Sequence, residues 1–178
     1  EGHQGKNSLT IFQFDTAQQQ FTTRRWRYVL ENNKHNIGDF NFINDRYAWV
    51  IERDNREGDP FKRCAKTPRP NCFDAPADFK RLYLVDLNPS NKTQNEARKL
   101  AYVDLMNIAD KNNKSGHAYR GVFNMPFFTI ESVDAISKDQ VVVGNDNNLP
   151  FSSGRTPLKN DDNEFIWLKI KGLHQVLK

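Results

Sequence analysis

No run of about 18 apolar residues occurs anywhere in the chain, so no helical membrane span is encoded. Aliphatic residues are sparse: hydrophobic residues of all kinds make up 37% of the sequence, and mean hydropathy is -0.80. The four histidines, His3, His35, His117 and His174, share no metal-ligand spacing and read as surface residues. No Gly-x-Ser-x-Gly elbow, P-loop or dinucleotide fingerprint is present, which leaves a serine-triad hydrolase or a nucleotide-binding fold without support. Nor is there a run of one charge. The 26 Lys and Arg are scattered among 22 acids, so the net charge of +4 makes no stripe for nucleic acid. The densest basic group, Arg24, Arg25 and Arg27 around Trp26, reads as an exposed strand face with a packed Trp. No signal peptide is visible and the sequence opens on Glu1 rather than Met, as a processed or incompletely observed polypeptide would.

What is present is aromatic. Phe alone occurs 13 times in 178 residues. Few aliphatics, many aromatics and many Asn and Asp together predict short strands joined by long polar loops, whereas a disordered chain would lack the aromatics. Strands are expected at residues 9–14, 26–30, 37–43, 47–51, 81–87, 127–136, 141–143 and 165–170, where short apolar runs are separated by turn residues. Residues 96–109 have the only helix-like pattern, although Tyr102 and Val103 suit a strand equally well. Residues 53–78 and 107–126 read as polar insertions.

These runs repeat. Residues 37–43, a turn, residues 48–51, a polar group at Glu52-Arg53-Asp54-Asn55 and residues 81–87 form one unit. Residues 130–136, a turn, residues 140–143, a polar group at Gly144-Asn145-Asp146-Asn147 and residues 164–170 form a second. Antiparallel meanders of this kind build propeller blades. The expected fold is therefore all-β, a β-propeller to which this chain supplies roughly three to four blades, at about 40–45 residues per blade. A closed ring usually needs more, and an open arc would leave two raw edges. A second polypeptide, either an N-terminal half or another copy of the chain, is the expected partner.

In such a ring the inner strands line a channel, and oxygen-bearing side chains at their starts meet at one mouth. Glu1, Asp39, Glu131, Asn145 and Asp146 fit those positions and offer hard ligands of the kind calcium takes. A turn is the alternative for residues 145–148, and no EF-hand spacing is present. Arg53 stands between two acids, which favours a structural ion pair, with phosphate recognition as the alternative. Arg155 follows Ser152-Ser153-Gly154, a small polar loop able to approach an anion or to lie on the surface. Cys64 and Cys72 sit in a segment rich in Pro and charge. A disulfide is the favoured reading, implying an oxidising compartment, and two free thiols are the alternative. Asn91-Lys92-Thr93 and Asn113-Lys114-Ser115 are glycosylation sequons, a pattern common by chance.

Several blocks carry a family likeness: Glu1-Gly2, Ile37-Gly38-Asp39-Phe40, residues 50–55, residues 80–87 and Glu131-Ser132-Val133. Residues 144–155 and then Asp161-Asp162-Asn163-Glu164-Phe165 are the most specific. In these the chain resembles the C-terminal portion of the "esterase-like activity of phytase" domain, a phytase-like propeller. The resemblance implies a propeller, export and phosphatase or esterase activity, and the fold carries over better than the activity. The function it implies is a secreted, calcium-dependent phosphoesterase with a small-molecule ester substrate. Arg53 and Arg155 would neutralise the phosphate. The alternatives are a non-catalytic binding propeller stabilised by calcium, and a lactonase or carboxylesterase using the same metal site.

Overall fold

The computed structural model describes residues 7–66, 69–88 and 96–177. They form four antiparallel sheets, none of them closed into a barrel or ring. β1 (Ser8–Asp15) and β2 (Gln20–Val29) make a hairpin, while β3 (Asn36–Phe42), β4 (Tyr47–Arg53), β5 (Lys80–Asp86) and β6 (Arg98–Asp104) make a four-stranded meander. β7 (Ile108–Ala109) and β8 (Val122–Phe123) pair briefly. β9 (Ile130–Ala135), β10 (Gln140–Asn145) and β11 (Phe165–Lys169) form a three-stranded meander, followed by a single turn of helix, α1 (Leu173–Val176).

The apolar runs explain the layering. Side chains alternate across a strand, so a strand that is apolar at every position must be covered on both faces. β4 is buried at every residue and β5 at all but Arg81. On one face Ala48, Val50, Tyr83 and Val85 meet Trp26, Tyr28 and Leu30 of the hairpin. On the other, Tyr47, Trp49, Ile51, Leu82 and Leu84 meet Val133, Val141 and Val143 of the last meander, with Leu105, Phe123, Met125 and Phe127 filling between. The order is thus hairpin, four-stranded sheet, three-stranded sheet, with one core at each junction.

The segment at 96–109 contains β6 rather than a helix. Its residues pair with β5 from Arg81↔Asp104 to Asp86↔Arg98, and that ladder outweighs a weak local preference. Trp26 behaves as its surroundings suggest: its indole is buried and donates to the Leu87 carbonyl oxygen at 3.0 Å, while Arg24, Arg25 and Arg27 are exposed.

β3 and β9 run side by side as the seam between the two meanders. Gly38 is the bulged residue between Ile37 and Asp39, opposite Ile51 and Glu52 of β4, and a Cβ there would overlap the Ile130 carbonyl oxygen. The backbones approach so closely because position 38 has no side chain. Asn41 Nδ2 donates to the Val133 carbonyl oxygen at 2.8 Å and extends the seam.

Candidate functional site

Register decides which ends of the strands meet. Asn36 at the start of β3 faces Arg53 at the end of β4, and Ile130 at the start of β9 faces Asn145 at the end of β10. Gly38 touches Ile130, so both pairs lie at one end of the two meanders. The residues of both polar groups and of the loops after them collect there.

Arg53 is the centre of this end. Its side chain is only 9% exposed, and its guanidinium lies 5.0 Å from the centre of the Phe128 ring. Nη1 donates to Asn55 Oδ1 at 2.9 Å, and Nη2 is 3.5 Å from Glu131 Oε1. Nε is buried without a hydrogen-bond partner. A buried guanidinium with one bare N–H and one long ion pair is incompletely neutralised. Glu131 keeps 40% of its side chain in solvent.

Arg53 does not pair with the acids beside it in the sequence, because alternation and the turn send them elsewhere. Glu52 points to the opposite face, where it accepts from Tyr28 Oη at 3.0 Å, the Glu31 N–H at 2.7 Å and Lys99 Nζ at 2.8 Å. His35 Nδ1 lies 2.8 Å from the same carboxylate, so His35 is a packed residue rather than a surface one, its ring stacked on Phe79. Burial and the Glu52 carboxylate push the Tyr28 phenol far above its ordinary range. Asp54 receives the N–H groups of Asp78 and Phe79 and pairs with Lys80 Nζ at 2.8 Å. Lys80 also donates to the carbonyl oxygens of Asp54 and Arg56, and burial lowers its pKa to about 8.

The other anticipated site residues hold the framework of this end. Asp39 Oδ2 accepts the Val133 N–H at 2.8 Å and Oδ1 the Phe40 N–H at 2.7 Å, tying β3 to β9. Asn145 is buried; its Oδ1 accepts the Glu164 N–H and its Nδ2 donates to the Asp162 carbonyl oxygen. Asp146 is exposed, with Oδ1 accepting the Asn148 N–H, as the turn reading of that cluster requires. Its backbone is bound to Thr129, beside Glu131. Arg155 has partners different from those of Arg53. It grips Glu164 through two bonds of 2.9 and 2.6 Å, donates to Asn124 Oδ1 at 3.1 Å, and packs over Phe123 and Phe127. Glu1 and the sequon asparagine Asn91 lie outside the described residues.

Sequence reasoning passed over Glu57 and Asp161. Desolvation raises both carboxyls above their usual range, and each lies near the small loop that carries Arg155. Asp161 accepts the N–H groups of Gly154 at 2.6 Å and Arg155 at 2.8 Å, which shapes that loop. Asp161 stood out in the sequence only as the first residue of the family-like block 161–165, with no role attached, and Glu57 had no signal beyond being acidic.

The donor set permits a direct test of the calcium expectation. Among the described residues no three His, Cys, Asp or Glu side chains cluster as a metal cage. Asp39 and Asn145 are committed to backbone groups, which leaves Glu131 and Asp146 as the solvent-facing carboxylates of the anticipated set. The described residues therefore do not form a calcium cage by themselves.

The class defined so far is an all-β chain of packed antiparallel meanders with a polar, arginine-centred end. A family model described as "Phytase-like: Esterase-like activity of phytase" matches residues 1–149, and the chain belongs to that family. The match takes in Arg53 and Glu131 and ends before Arg155. No curated protein matches the chain, and no solved structure does. The disulfide is formed: Cys64 and Cys72 are bridged, with Cα atoms 5.0 Å apart.

Proposed function

We propose that this chain forms part of a secreted phytase-like phosphoesterase in which Arg53 receives the phosphoryl group. The observation that carries the reading is Arg53 itself: a side chain nine-tenths buried, with Nε bare, its nearest carboxylate 3.5 Å away and half in water. A phosphoryl oxygen placed at that end meets a cation whose field is little screened. Such fixed charge stabilises the negative charge spread over the phosphoryl oxygens in the transition state. Glu131 and Asp146 are the proposed contributors to a calcium site, with Asp39 and Asn145 holding the surrounding backbone. The remaining ligands would come from Glu1 or from another polypeptide. Arg155 is proposed to support the loop beside the site, since its charge is met by Glu164.

The propeller, and a partner polypeptide completing it, belong to the same proposal. Two apolar faces at opposite ends of the stack support it. Phe165 and Trp167, 65% and 74% exposed, lie on the face of the last meander turned away from its core. Phe12, Phe14 and Phe21 are exposed together on the first hairpin. Neighbouring blades would cover both. The Cys64–Cys72 bridge supports an oxidising compartment.

Hydrolysis of an aryl phosphate tests the reading. The expected result is calcium-dependent turnover that falls about 10²-fold in Arg53→Gln and is partly kept in Arg53→Lys. Turnover unaffected by a chelator removes calcium from the account, and turnover unaffected by Arg53→Gln removes Arg53. A second reading, binding without catalysis, is favoured by the commitment of Asp39, Asn145 and Arg155 to structural bonds. It predicts an inert protein whose thermal stability still rises with calcium.

A further inference from the structure

Beyond Arg53 and the residues that follow it, the first polar insertion runs on into a loop, residues 59–74, that meets the second insertion. The loop begins at Asp59, whose carboxylate caps a short 3₁₀ turn (Pro60–Lys62) by accepting the Phe61 N–H at 3.0 Å. It is closed by the Cys64–Cys72 bridge and by the pairing of Lys62, Cys64 and Phe73 main-chain groups. Phe73 packs on Gly58, whose φ of +118° suits glycine. The second insertion stands on the β7–β8 pair, and Asp110 fixes it by accepting the N–H groups of Lys114 and Ser115. The rings of Phe61 and Tyr119, 4.9 Å apart, join the two.

Charge is distributed very unevenly over this surface. Lys62, Arg63, Lys66 and Arg69 occupy the first loop with no acid between Asp59 and Asp74. Lys111, Lys114 and Arg120 occupy the second, against the single acid Asp110. Seven cations and one acid exceed the net +4 of the whole chain, so the remainder is slightly acidic. All seven are exposed, and among the described residues none lies within salt-bridge distance of a carboxylate. An open pocket of about 460 Å³ beside the Cys64–Cys72 bridge is lined by Lys62, Arg63, Lys66 and Arg69.

We propose that the two insertions together form a docking surface for an anionic polysaccharide. Cations spread over two loops suit a polymer with repeated negative groups, which engages several at once. The basic pocket suits one sulfate or carboxylate substituent. Phe61 and Tyr119, 44% and 48% exposed, offer apolar faces to the C–H side of a sugar ring. The Cys64–Cys72 bridge belongs to oxidising compartments, which include the cell exterior where polysaccharides are met.

Fluorescence anisotropy with labelled dextran sulfate tests this on the full chain. The expected result is saturable binding that weakens with salt, is absent for uncharged dextran, and falls about tenfold in the Lys66→Ala/Arg69→Ala double variant. Both side chains are exposed, so folding is not at stake. Arg24→Ala/Arg25→Ala removes the same charge from β2 and should change affinity by less than about twofold. Equal loss in the two double variants, no binding by the wild type, or tighter binding to phosphatidylserine vesicles or to oligothymidylate than to dextran sulfate would each overturn the proposal.

Discussion

Lys80 shows what burial does to a charge beside the candidate site. Its ammonium is fully buried and bound to Asp54 and two carbonyl oxygens, yet its pKa falls from 10.5 to about 8 because desolvation exceeds those partners. Between pH 8 and 10 the unfolded chain holds a proton that the folded chain has released, so stability rises with pH across that window. A net gain of about 1 kcal/mol is expected in urea unfolding at pH 10 against pH 8, because the lysine's contribution is partly offset as Tyr28 and Tyr83 begin to ionise in the unfolded chain. Above pH 10 the trend reverses, because burial keeps Tyr28 and Tyr83 protonated in the fold after the unfolded chain has lost those protons. Lys80→Met should abolish the rise. A flat wild-type profile, or a rise retained in Lys80→Met, would show that Lys80 is not the group responsible.

The seam between β3 and β9 sets the geometry of the site at the scale of elements, because it brings Arg53 to Glu131. Gly38→Ala places a methyl group against the Ile130 carbonyl oxygen. The strands must then separate, and a loss of about 1–3 kcal/mol is expected in chemical denaturation, comparable to overpacking a core. An unchanged midpoint would mean that the seam is looser than described. Much of this arrangement was legible in the sequence. The short apolar runs at 47–51 and 81–87 announced strands, and the repeat announced two meanders. β6 was not legible, since only its pairing with β5 decides its conformation. The roles of Asp39 and Asn145 were hidden for a related reason. Asp39 bonds a residue 94 positions away, and no local pattern distinguishes a carboxylate that staples backbone from one that awaits a ligand. Arg53 was legible as a residue of interest, but its sequence neighbours misdirected its partners, because Glu52 faces the opposite side of the sheet.

Across the whole molecule, two cores hold three sheets in series, and the polar chemistry is divided between two places. Arg53, Glu131 and the buried Lys80–Asp54 pair gather where the strands of two sheets begin and end. The basic insertions form a separate surface beside them, connected through Lys62, whose Nζ donates to the Arg155 carbonyl oxygen at 2.6 Å. The account rests on the first of these places accepting a phosphoryl anion. Isothermal titration of the wild type and of Arg53→Gln with inorganic phosphate tests that most directly. Saturable binding by the wild type, weakened at least about tenfold in the variant, is the predicted result. Equal affinity in the two proteins, or no binding by either, would contradict it.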